Sequence, residues 1–195
     1  MNAKAIIIRG NGDTHPDEIW FPWLKEQLEK ISIPTTNVGF PDPDLARMSE
    51  WVPFIEKLGA DKSTILVGHS SGALAAMRFV ETHEILGLVL VAPCYTDLGD
   101  EHERASGYFD KPWEWESIKR NQQWIVQFSS PDDPYIPISE ARYVHEQLDS
   151  RYFELPARGH FGGDRGEKQF PELLLEIKSE LGALDTINEA EPFRS

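Results

Sequence analysis

The sequence predicts an α/β domain built on a mostly parallel, six-stranded sheet with helices on both faces. Short apolar segments alternate with amphipathic segments along almost the whole chain, which is the pattern of strands connected by helices. The segment at residues 64–67 contains no charged residue and is mostly apolar, as expected for a strand covered on both sides of a parallel sheet. The length of 195 residues suits one domain with a single core.

The elements follow one another regularly. Strands are predicted at residues 5–8, 35–40, 64–67, 88–92, 124–128 and 152–155. Helices are predicted at residues 17–31, 45–58, 71–82, 139–148 and 170–181. Residues 185–195 are polar and are expected to form a loosely ordered tail, so the single domain is expected to span residues 1–184.

One long segment interrupts this alternation. Residues 93–123 separate the fourth and fifth strands without a strand of their own, and they are first charged and then aromatic. A connection of this length inside a compact domain is usually functional, so we interpret it as a lid-like insertion. The alternative is a surface segment whose aromatic side chains pack on the sheet.

Composition excludes several classes of function. The chain has 19 Lys and Arg against 33 Asp and Glu, a net charge of −14, which disfavours binding to nucleic acid or to an anionic membrane. The single Cys94 excludes an intramolecular disulfide and a multi-cysteine zinc site. No His-Glu-x-x-His motif or comparable ligand pair indicates a metal, and no cofactor is expected. Without a long apolar run or a signal-peptide core, the chain is expected to be cytoplasmic.

The sharpest motif is Gly-His-Ser-Ser-Gly at residues 68–72, a match to G-x-S-x-G. It lies between the apolar third strand and an Ala-rich helix, which is the context of a nucleophile elbow. Small residues are needed on either side of the serine because the turn brings strand and helix close together. The motif therefore predicts Ser70 as a nucleophile.

A serine hydroxyl needs a base to accept its proton, and six histidines compete for that role. His160 is the strongest candidate because it follows the last strand, at the carboxyl edge of the sheet where catalytic groups gather. His69 lies inside the elbow and is expected to point away from the neighbouring hydroxyl. His15, in the loop after the first strand, is expected to approach the site without being the base.

The acid that orients the base is expected after the fifth strand. Asp132 and Asp133 lie there in a turn bounded by prolines, which could also be a plain turn. The order Ser70, Asp133, His160 is the order of the triad in α/β-hydrolases, and we prefer Asp133 because its spacing to the following proline resembles the acid loop of that fold. Asp132 is the alternative.

The remaining site residues follow from what acyl transfer requires. Two backbone N–H groups must stabilise the oxyanion, and we assign them to Ser71 and to Asn11, with Gly12 as the alternative to Asn11. The aromatic insertion and the first loop supply the candidate substrate-binding residues His15, Tyr108, Phe109 and Trp113.

Beyond these motifs, the chain resembles the retinoblastoma-binding protein 9-like family of small serine hydrolases. The resemblance is carried by residues 68–78 and 97–109 and extends through Gln127-Phe128, Asp132-Asp133-Pro134 and Gly159-His160-Phe161. It implies a minimal α/β-hydrolase fold with a Ser-Asp-His triad that hydrolyses esters or amides.

Two departures from the family limit what is carried over. The Leu-x-Cys-x-Glu motif for binding pocket proteins should fall at residues 58–62, which lack both Cys and Glu, so that partner is unsupported. Arg9 precedes the oxyanion loop where many hydrolases have His or Pro.

The sequence therefore predicts a serine hydrolase that cleaves an ester or amide of a small-molecule acyl substrate through an acyl-enzyme. Natural substrate, bond type and oligomeric state are not encoded in any motif. The alternative function is a catalytically idle fold that binds a protein partner through the insertion. A nucleotide-binding module is disfavoured because the third glycine of G-x-G-x-x-G would fall at His15.

Overall fold

The structure, a computed structural model, describes residues 2–12, 15–162 and 167–190, with side chains up to residue 184. Its strands form one sheet of six parallel strands in the order β2-β1-β3-β4-β5-β6. The strands are β1 Lys4–Ile8, β2 Thr35–Asn37, β3 Thr64–His69, β4 Gly87–Val91, β5 Trp124–Ser129 and β6 Arg151–Glu154. The predicted α/β fold is confirmed, and the sheet is parallel throughout.

The described helices follow the strands. They are α1 Phe21–Lys30, α2 Met48–Lys57, α3 Ser71–Val80, α4 Glu101–Ala105, α5 Trp115–Arg120, α6 Ile138–Leu148 and α7 Pro171–Ala190. Alternate residues of each strand face opposite sides of the sheet, as β1 illustrates. Ile6 and Ile8 join a core shared with α2, α3, α5 and α6, while Ala5 and Ile7 join the core shared with α1 and α7. Helices therefore cover both faces.

Two helices begin later than their patterns predict, for a common reason. Ile19 and Ala46 have φ angles of 44° and 52°, in the left-handed region. A non-glycine residue in that region cannot continue a right-handed helix. As a result α1 begins at Phe21 rather than residue 17, and α2 begins at Met48 rather than residue 45.

The C-terminal end also differs from the prediction. Helix α7 continues to Ala190 and takes in the first part of the expected polar tail, which begins at residue 185. The sequence from 183 to 190 contains neither glycine nor proline, so nothing in it interrupts the helix. The rest of that tail, residues 191–195, lies outside the described residues.

The insertion at residues 93–123 contains the two short helices α4 and α5. Its interpretation as a lid stays a prediction. In the described part of the chain, no helix has the length and apolar composition needed to cross a membrane.

Candidate active site

Ser70 occupies a sharp turn between β3 and α3, with φ of 55° and ψ of −121°. This backbone conformation is sparsely populated for any residue with a side chain and persists only where the surroundings fix it. The Ser70 N–H donates to Val91 O at 2.9 Å, which ties the turn to β4.

The two glycines of the motif make this turn possible. A Cβ on Gly68 would lie 2.4 Å from Gly72 O, and one on Gly72 would lie 2.2 Å from Ile8 O. Both contacts involve backbone atoms, which cannot move aside as a flexible side chain could. The elbow therefore requires glycine at both positions for packing rather than for a positive φ.

An acid and a base meet at the neighbouring strand ends. His160 Nδ1 lies 2.7 Å from Asp133 Oδ2. A carboxylate only accepts hydrogen bonds, so Nδ1 carries the proton and Nε2 keeps a lone pair. Asp133 Oδ1 accepts from Tyr135 N–H at 2.8 Å and Ile136 N–H at 3.0 Å, and its side chain is 3% exposed. The carboxylate is thus held on both oxygens.

Asp132, the alternative acid, points elsewhere. Its Oδ1 accepts from Ser130 Oγ at 2.5 Å, and the residue is exposed. The geometry therefore pairs His160 with Asp133.

Ser70, Ser71, His160 and Asn11 all line one cavity of about 730 Å³. This volume lies in the range of small-molecule sites. Ser70 and His160 face the same space, although within the described residues no hydrogen bond joins Ser70 Oγ to the imidazole. Hydrogen bonds between catalytic groups are often long without substrate and shorten in the Michaelis complex.

The candidate oxyanion donors differ in their availability. Ser71 is the first residue of α3, whose leading N–H groups have no partner within the helix. The Gly12 N–H donates to Pro43 O at 2.9 Å, so that group is already engaged. Asn11 lines the cavity, and its Nδ2 donates to Glu103 Oε1 at 3.1 Å. Of the two residues, Asn11 is the better placed.

None of the four candidate substrate-binding residues is in the lining of the cavity. Tyr108 is fully buried, and Phe109 and Trp113 pack against the core beside α3. None of them lines the cavity, so the structure corrects this expectation. His15 is exposed and is not in the cavity lining either, although Glu18, which accepts from the His15 N–H, is.

Arg78 explains why these aromatic residues turn inward. Its guanidinium is buried and donates to the carbonyls of Tyr108, Lys111 and Pro112. It pairs with Glu81 at 2.6 Å, and its Cζ lies 3.7 Å from the Trp113 ring centroid. A buried arginine needs several acceptors, and the second half of the insertion supplies them.

Sequence reasoning missed the residues that do line the cavity from the insertion and the acid loop. They are Cys94, Leu98, Asp100, Glu103, Pro134, Tyr135 and Ile136. Glu103 is half-buried, and burial raises its pKa above the ordinary value. No sequence signal marked these residues, because the charged run at the start of the insertion is also what a solvated surface segment shows. Among described residues, no group of three or more His, Cys, Asp or Glu could hold a metal ion.

Two comparisons with known proteins match most of the chain. The profile of a family described as "Serine hydrolase" matches residues 5–179. The chain is 46% identical over 185 residues to the serine hydrolase RBBP9 of Rattus norvegicus, covering 92% of this chain and 96% of that protein.

Solved structures share the fold. The ydeN gene product of Bacillus subtilis superposes with a TM-score of 0.84 at 24% identity, covering 92% of this chain and 99% of that one. Est1E of Butyrivibrio proteoclasticus, solved with ferulic acid bound, superposes with a TM-score of 0.65 at 16% identity, covering 95% and 90%. At these identities the likeness concerns the fold alone.

Proposed function

The chain belongs to the serine hydrolase family, and from this premise we propose that Ser70, His160 and Asp133 cleave an ester or amide of a small acyl substrate. One observation carries the proposal. His160, which is hydrogen-bonded to Asp133, lines the same cavity as Ser70, whose backbone is strained. Membership of this family supports a hydrolase activity. We assign the roles of the three side chains from their geometry.

The reaction begins with proton transfer. His160 Nε2 takes the hydroxyl proton as Ser70 Oγ attacks the acyl carbon. The imidazolium then returns that proton to the leaving alcohol or amine, and an acyl-enzyme ester remains on Ser70. In the second half a water molecule gives a proton to Nε2 and attacks the ester carbon, and the imidazolium then returns that proton to Ser70 Oγ as the acid leaves.

Asp133 and the backbone assist this cycle. The carboxylate keeps the imidazole in the Nδ1–H tautomer and stabilises its charged form. The N–H groups of Ser71 and Asn11 hold the negative charge that develops on the acyl oxygen. Among the described residues, the charged side chains that line the cavity are Glu18, Asp100 and Glu103, all acidic, which disfavours anionic substrates.

Labelling with a fluorophosphonate tests the proposal directly. We expect the wild-type protein to be labelled at Ser70 and to hydrolyse short acyl esters. Ser70→Ala should lose both properties at an unchanged melting temperature, while Ser139→Ala, at an exposed serine, should keep both. Labelling that survives in Ser70→Ala would overturn the assignment, and absence of labelling and turnover in the wild type would favour a protein-binding role.

A further inference from the structure

The loop that carries His160 has an unusual backbone. Gly159 and Phe161, on either side of His160, have φ angles of 51° and 56°. For Phe161 this left-handed conformation is unfavourable and persists only where the surrounding structure fixes it. The loop therefore needs anchors outside itself.

Two ring N–H groups provide these anchors. His69 Nε2 lies 2.8 Å from His160 O, and Trp20 Nε1 donates to Phe161 O at 2.7 Å. The two donors come from different parts of the chain: His69 ends β3, and Trp20 directly precedes α1. Two consecutive carbonyls of the base loop are thus held by two separate elements.

The His69 ring can act only as a donor at Nε2. A carbonyl oxygen only accepts, so Nε2 carries the proton and Nδ1 has none. His69 Nδ1 is buried and has no partner among the described residues. Burial first, and then the nearby His160, lower the pKa of His69 to about 3, so the ring stays neutral over the working range of an enzyme.

The anchors also contact each other and the base. The His69 and Trp20 rings meet edge to face with centroids 6.1 Å apart, and the His69 and His160 rings have centroids 4.9 Å apart. The same residue pair therefore fixes both the main chain of the base loop and the space beside the imidazole.

We propose that His69 and Trp20 are positioning residues, which hold the backbone of His160 so that its imidazole stays aligned between Asp133 and Ser70. This inference rests on the proposed function, because it requires His160 to be the base. The inference gives His69, the second residue of the Gly-His-Ser-Ser-Gly motif, a role that is separate from proton transfer.

A matched pair of variants isolates the hydrogen bond. His69→Gln and His69→Asn both remove the ring, but only the glutamine amide reaches the position of Nε2. We expect His69→Asn to lower kcat by about 10- to 100-fold with KM nearly unchanged, because small misplacements of a catalytic group have effects of this size. His69→Gln should recover most of that loss.

Trp20→Phe tests the second anchor independently, since it keeps the aromatic ring and removes the N–H. It should lower kcat in the same way, at an unchanged KM. The inference is overturned if His69→Asn, folded by circular dichroism, keeps a kcat within two-fold of wild type, or if His69→Gln and His69→Asn lose activity equally. If His69→Asn does not fold, Trp20→Phe decides: full kcat overturns the inference and selective loss supports it.

Failure of the inference is distinguishable from failure of the proposed function. In the first case Ser70→Ala is inactive, and the anchor variants either remain active or, for His69→Gln and His69→Asn, lose activity equally. In the second case Ser70→Ala itself remains active, whatever the anchor variants do.

Discussion

Asn11 Nδ2 donates a hydrogen bond of 3.1 Å to Glu103 Oε1, which joins two residues 92 positions apart in the chain. One belongs to the loop after β1 that we assign to the oxyanion hole, and the other belongs to α4 of the insertion. The insertion therefore fixes the loop from which a backbone N–H must point at the substrate.

Replacing Glu103 should misplace this oxyanion donor. We expect Glu103→Ala to lower kcat by roughly 10-fold, less than the 10²–10³ typical for removing a donor outright. Glu103→Gln keeps an acceptor oxygen for Asn11 and should stay near wild type. Steady-state kinetics on a neutral ester measure both, and equal activity in the two variants would show that the contact is dispensable.

The two neighbouring carboxylates should behave differently. Asp133→Asn keeps the shape but favours the wrong imidazole tautomer, so we expect kcat to fall by about 10³–10⁴. Asp132→Asn is the control, because Asp132 is exposed and contacts Ser130 rather than His160. A large loss in Asp132→Asn together with an active Asp133→Asn would reverse the assignment.

The close approach at the elbow predicts a large effect on stability. Gly72→Ala places a Cβ 2.2 Å from Ile8 O, and we expect the free energy of unfolding to fall by about 3 kcal/mol. Gly182→Ala is the comparison, since a Cβ there comes within 4 Å of no atom of the described residues outside its own turn of the helix. In the middle of α7 it should stabilise the protein by roughly 0.5–1 kcal/mol. Urea unfolding measures both values, and a Gly72→Ala variant as stable as wild type would contradict the packing argument.

His69 should make stability depend on pH. Its pKa falls from 6.5 to about 3 on folding, so below pH 6.5 the unfolded chain binds a proton that the folded chain does not. Above pH 6.5 the titration of His69 leaves the free energy of unfolding unchanged. Below pH 6.5 it lowers the free energy of unfolding by about 1.4 kcal/mol per pH unit, down to about pH 3. By pH 5 this amounts to roughly 2 kcal/mol.

His69→Gln removes this contribution and leaves the other titrating groups in place. We expect the difference in free energy of unfolding between wild type and His69→Gln to shift by roughly 2 kcal/mol between pH 7 and pH 5, to the disadvantage of the wild type. Parallel stability curves for the two proteins would show that the ring is not held neutral in the folded state.

Much of the fold was predictable because its signals are local. The apolar run before residues 68–72 predicts both a central strand and the turn that follows it, and the structure places β3 and α3 there. The pairing of Asp133 with His160 follows from a general rule, since parallel strands bring their carboxyl ends to one edge. The roles of these residues stay predictions.

The rest depends on contacts that no local pattern encodes. Arg78, 30 residues before Tyr108, donates to the Tyr108 carbonyl and lies over the Trp113 ring, so this half of the insertion is held against the core. His69 holds a carbonyl 91 residues away, and Glu103 is oriented by Asn11 across 92 residues. An aromatic or charged run looks the same in sequence whether it faces a cavity or a core.

The buried arginine on α3 has a consequence for anyone who transplants specificity between such enzymes. Residues 108–113 of the insertion are held by a guanidinium that lies outside the insertion, on the helix that begins next to Ser70. A chimaera that receives residues 93–123 without Arg78 would have the sequence of the insertion, but residues 108–112 would lose the donor that holds their carbonyls. The second half of the insertion therefore has to be exchanged together with Arg78.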